Sequence, residues 1–114
     1  MLAIDLDTLQ FIIDKAREFQ AQESVAGTDD SAPTGDSSRE ELVATIADLE
    51  PDQQIELVAL MWLGRGDFDI EDWRSAVAEA TRAYNARTAD YLIATPLLAD
   101  YLLEGLDLHG YEAD

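Results

Sequence analysis

Cysteine is absent from the 114-residue chain, and disulfides, thiolate nucleophiles and Cys-ligated metals are excluded with it. Histidine occurs once, as His109, and a single imidazole without Cys does not make a typical zinc site. Positive charge is scarce: one lysine (Lys15) and six arginines face 25 acidic residues, for a formal net charge of -18. Nucleic-acid backbones are held by clustered Lys and Arg, so this balance excludes nucleic acid as a partner. It argues equally against an anionic membrane surface. No apolar run approaches the ~20 residues that span a bilayer. The N-terminal segment carries no early Lys or Arg, and Asp5 and Asp7 interrupt its apolar run, unlike a signal peptide. Strand alternation and internal repeats are also missing. A cytoplasmic protein without cofactor or resident metal is expected.

What is present reads as helices. The length suits a single domain over residues 1–114, and 47% of residues are apolar. From about Asp5 to Gln22, Leu6, Leu9, Ile12, Ile13, Ala16 and Phe19 recur at helical spacing. Residues 24–38 (SVAGTDDSAPTGDSS) break the pattern and predict a flexible loop. Ser37 with Glu40, or Ser38 with Glu41, forms a capping box that opens a second helix with Leu42, Val43, Ile46 and Leu49 inside. That helix ends at Glu50, because Pro51 disfavours helix before it and opens a third helix. The third helix is apolar all round from Leu57 to Leu63 and is therefore expected at the centre, with Trp62 as core filling. The predicted fold is all-α: a compact bundle of five to six helices with a mobile acidic loop after the first.

The third helix runs into GRGDFDIEDW, residues 64–73. Gly64 or Gly66 supplies the left-handed C-terminal residue. Asp69 is read as the next N-cap, with Asp72 at the capping-box position and Phe68 and Trp73 as a hydrophobic staple. Further on, Thr88 is read as the cap of a short helix, and Thr95-Pro96 as the cap and first turn of the last helix, in which Gly105 hints at close packing.

LVALMWLGRGDF (57–68) and DYLIATPLLADYLLEGL (90–106) together resemble a small bacterial family, domain of unknown function 3775. With KAREF (15–19) and an acidic linker, the resemblance covers nearly the whole chain. Ala94-Thr95 stands where Gly-Ile is expected, and Leu103 where an acid is expected. The resemblance implies the fold and a bacterial origin, and it carries no catalytic residue.

Several residues invite chemical readings. The Gly64-Arg65-Gly66 string follows a helix rather than a strand and lacks the following Lys-Ser/Thr of a phosphate loop. Asp67, Asp69, Glu71 and Asp72 resemble the start of a calcium loop, but its required Gly and Glu are replaced by Asp72 and Ala78. His109 reads as a terminal surface residue. Asp90, Asp100 and Glu104 with Tyr91 and Tyr101 are candidates for a polar pocket. Arg74 and Arg82 can receive an anion or an acidic partner, or neutralise Glu71 and Glu79. The candidate ligand- or partner-binding set is Arg65, Asp67, Arg74 and Tyr101, beside a structural set of Trp62, Gly64, Gly66, Phe68, Asp69, Trp73, Thr95 and Pro96. With no catalytic constellation, an enzyme ranks last. A non-catalytic protein-interaction or regulatory module, binding a protein partner or itself, is expected first. The alternatives are a small-ligand or anion-binding domain and an acidic mimic of nucleic acid acting on a basic protein.

Overall fold

The computed structural model describes residues 4–25 and 33–110, with side chains described outside 19–39. In chain order the helices are α1 (Leu6–Val25), α2 (Pro33–Ala47), α3 (Pro51–Arg65), a single 3-10 turn (Ile70–Asp72), α4 (Trp73–Ala83), α5 (Thr88–Ala94) and α6 (Leu98–His109). Among the described residues there is no strand, and the all-α class holds.

The α3 segment is the hub. Ile55, Leu57, Val58, Ala59, Leu60, Met61 and Leu63 are buried because α3 packs against α6, α4 and α5 on different sides. Its N-terminus is built as the sequence dictates. Glu50 is extended before Pro51, and its N–H donates to Gln53 Oε1 at 3.0 Å. At its C-terminus Gly66 takes φ 93°, a conformation without steric cost only for glycine. Gly66 N donates to Leu63 O and Asp67 N to Trp62 O, the two bonds of a Schellman turn.

Gly64 has a different task. It lies inside α3 where α6 crosses, and a Cβ there would stand 1.9 Å from the Tyr101 carbonyl oxygen. Gly105 answers it from α6: a Cβ there would stand 2.3 Å from the Leu60 oxygen. The two helices thus meet backbone to backbone, and α1 and α2 pack around the side of this pair, with α1 against α6 and α2 against α5. One cluster of buried residues, from Ile4 to Leu106, draws members from all six helices.

Several element boundaries depart from the sequence reading. The α1 helix continues to Val25, and α2 begins at Pro33, so 24–25 and 33–38 are helical and not loop. Proline in the first turn is a start signal here as at Pro51, and it overrides the Ser37 and Ser38 caps. The remainder of the expected loop, 26–32, lies outside the described residues. The α2 helix stops at Ala47, three residues before Glu50. Its end is capped from α3: buried Gln54 donates through Nε2 to Ala47 O (3.3 Å) and Leu49 O (3.0 Å). Thr95 does not cap α6. It closes α5, donating Oγ1–H to Tyr91 O at 3.0 Å, and Pro96 and Leu97 then turn the chain, with Leu97 in the left-handed region at φ 62°.

We predict that Gly64→Ala or Gly105→Ala costs more than about 3 kcal/mol in chemical denaturation, because the new methyl would meet backbone that cannot move aside without parting the helices. Gly66→Ala has nothing within 4 Å of the added carbon. It is expected to cost only the left-handed strain, about 1 kcal/mol. Equal losses at all three positions would refute the close approach.

Candidate functional site

The corner between α3 and α4 is where the residues singled out in the sequence gather. The Schellman turn at Gly66 reverses the chain and brings Asp67 back beside Arg65. Arg65 Nε and Nη2 donate to Asp67 Oδ2 at 2.9 and 2.7 Å. This bond, with a smaller contribution from Tyr91, holds the guanidinium still more firmly protonated than usual. Phe68 then folds back onto α3 and stacks on Trp62, with centroids 5.8 Å apart and planes at 26°. Trp62 is half-buried rather than core, and its indole N–H donates to the Tyr91 hydroxyl at 3.0 Å. Arg65, Trp62 and Tyr91 are thereby one polar-aromatic unit joining α3 to α5.

Three clefts open along this corner. One, of about 460 Å³, lies against Trp62, Arg65, Asp67, Phe68, Ser75 and Tyr91. A second, of about 360 Å³, continues past Trp62 and Tyr91 towards Ala80, Tyr84 and Arg87. The third, of about 440 Å³, lies on the other side of Phe68, between the corner and α6, against Ile70, Glu71, Glu104 and Leu108. Phe68 borders the first and third, and Trp62 with Tyr91 borders the first and second, so the clefts form one track.

Of the four candidate binding residues, only Arg65 and Asp67 come together. Arg74 is exposed on α4 and lines none of these clefts. Tyr101 is half-buried against the core, and its backbone oxygen faces Gly64 across the helix crossing. Arg82 pairs with Glu79 on its own helix. The corner devices also differ from expectation. Asp69 precedes the 3-10 turn and Asp72 precedes α4, but neither side chain makes a capping bond. The extra 3-10 turn spaces Asp69 away from the α4 N-terminus. Phe68 is engaged by Trp62, while Trp73 packs edge-on against His109 at 4.6 Å and 79°. His109 is accordingly half-buried and not a surface residue, and burial lowers its pKa below the usual 6.5.

The residues that sequence reasoning missed are Trp62 and Tyr91 as a pair. They are 29 positions apart, and only the packing of α5 on α3 joins them. Among the described residues no group of three or more His, Asp or Glu side chains is arranged to hold a metal ion. Among them, too, no helix is long and apolar enough to cross a membrane.

Over residues 39–111 the chain matches the family described as protein of unknown function DUF3775. The match runs from the body of α2 past the end of α6, more than half of the chain, and the chain belongs to this family. Lys15 to Phe19, counted in the sequence resemblance, lies outside the matched span. No curated protein and no solved structure matches the chain.

The lowered His109 pKa gives a pH prediction. The unfolded chain binds that proton more tightly than the fold does, so stability is complete above the unfolded value of 6.5 and is lost as pH falls through the folded one. The measurement is a difference, so that every group common to the two proteins cancels. Between about pH 7.5 and 5, the melting temperature of the native protein is predicted to fall relative to that of His109→Gln. Parallel curves would show that His109 titrates equally in both states.

Proposed function

We propose that this DUF3775 member is a non-catalytic protein-interaction module whose contact surface is the corner from Trp62 to Ile70. One observation carries the reading: Phe68, stacked on Trp62, borders clefts on both of its sides, so a continuous track of large apolar and aromatic side chains lies open at the surface. Trp, Tyr and Arg dominate the energetics of protein interfaces. Here they are held before any partner arrives: the indole by Tyr91, the guanidinium by Asp67. Side chains already fixed lose little entropy on binding.

The alternatives have less behind them. For an anion-binding domain, Arg65 already directs Nε and Nη2 at Asp67, whose carboxylate offsets the charge an anion would need. For a mimic of nucleic acid, the two clefts beside Trp62 mix aromatic rings and arginines with their carboxylates, and no unbroken row of carboxylates runs along them. A cysteine-free chain suits a reducing bacterial cytoplasm, which is where we place the module.

The test is site-specific photo-crosslinking in living cells. A benzophenone amino acid at Ser75, beside Arg65 in the first cleft, should capture a discrete protein species. Arg65→Glu should reduce that capture about tenfold, the effect of losing a contact worth ~1.4 kcal/mol. The same probe at exposed Ala44 on α2 should capture nothing comparable. No species from Ser75, or the same species from Ala44, would reject the surface.

A further inference from the structure

We propose that the groove between the corner and α6 receives a basic segment of the partner protein, whose large apolar side chains lie on Phe68, Ile70 and Leu108 while its Lys or Arg residues meet Asp69, Glu71 and Glu104. The inference deepens the interaction-module reading and rests on it.

The groove has two properties that seldom coincide on a strongly charged protein. Its walls leave large apolar side chains in water: Ile70 is 39% exposed and Leu108 44%. Its charged lining is of one sign, since Asp69, Glu71 and Glu104 are carboxylates and no Lys or Arg among the described residues borders it. The arginine of the corner, Arg65, lies in the cleft on the other side of Phe68 and is bonded to Asp67. The groove is open because the helices beneath it cross without side chains: Gly64 forms part of its lining, and Gly105 lets α6 approach so closely that Glu104 and Leu108 stand opposite the 3-10 turn.

Apolar floor and acidic rim together select the occupant. A second copy of the chain, at a net charge of -18, would bring carboxylates to carboxylates. Anionic lipid and nucleic acid carry the same wrong sign. A cationic segment is attracted by the whole molecule, which speeds encounter, and its apolar side chains remove Ile70 and Leu108 from water once it arrives. Lys and Arg stems add apolar contact beneath their charges.

The experiment is an NMR titration of the full chain with a synthetic amphipathic Leu/Lys peptide, and with its Leu/Glu counterpart as control. The Leu/Lys peptide should move backbone amides at 68–71 and 104–108, and the Leu/Glu peptide should not. Ile70→Ser should weaken binding about tenfold, and so should Glu71→Lys with Glu104→Lys. Glu18→Lys with Glu40→Lys makes the same change in net charge at exposed sites on α1 and α2, and should change affinity by no more than about twofold. Melting temperatures of the variants establish that each is folded. If both charge-reversed pairs weaken binding equally, the attraction is to net charge alone and the proposal fails. It fails also if the groove amides move on self-association of the chain without peptide. If the peptide does not bind while the Ser75 crosslink persists, the groove assignment falls and the interaction-module reading stands. Loss of both removes both.

Discussion

The contact between α3 and α6 at Gly64 and Gly105 is the constraint on which the rest of the molecule depends. A helix apolar on every side can be buried on every side only if its neighbours come close. Here the closest neighbour comes within backbone distance, with Tyr101 O against Gly64 and Leu60 O against Gly105. That separation fixes the height of α6 over α3, and so fixes where Leu102 and Leu106 enter the core and where Glu104 emerges from it. Side-chain layers tolerate exchange of volume between neighbours. A contact between two main chains has no volume to exchange.

The same close crossing shapes the surface. Because α6 reaches the end of α3, the reversal at Gly66 borders the same cleft as Glu104 and Leu108 of α6. Phe68 then serves two purposes: it covers Trp62 and completes the packing of the corner, and its edges form the walls of clefts on either side. Residues that close the fold and residues that line the clefts are therefore the same residues, which is why sequence patterning alone could assign them only to folding.

How far the sequence is legible follows from how local each signal is. The apolar run of α3, the Pro51 that leaves Glu50 extended and the glycine inside the α6 pattern are local signals, and the burial, the extended residue and the tight packing near Gly105 could each be read from them. Gly64 and Gly66 carry identical local chemistry, and the orientation of α6 alone decides that one packs while the other turns. Gln54 looks like a solvated residue of a polar first turn, yet it is 5% exposed and caps the preceding helix. Thr95-Pro96 contains a start signal that is equally a stop: the threonine hydroxyl bonds backwards to Tyr91 O, and the proline then follows a helix instead of opening one. At the surface, Arg65 and Asp67 are two residues apart and could be paired from the sequence. Arg74 and Tyr101 stand out by residue type alone, and the rotation of their helices sends them elsewhere.

The two tryptophans lie in unlike surroundings, and this gives the molecule an unplanned property. Trp62 is hydrogen-bonded to a phenol and stacked on Phe68, whereas Trp73 meets an imidazole ring nearly at right angles. An indole is the strongest ultraviolet emitter in a protein without cofactors, and its emission depends on what touches it. The unlabelled chain therefore carries two native optical reporters, one on the α3–α5 contact and one on the end of α6. Replacing either indole with phenylalanine would leave the other to report alone on its own part of the fold.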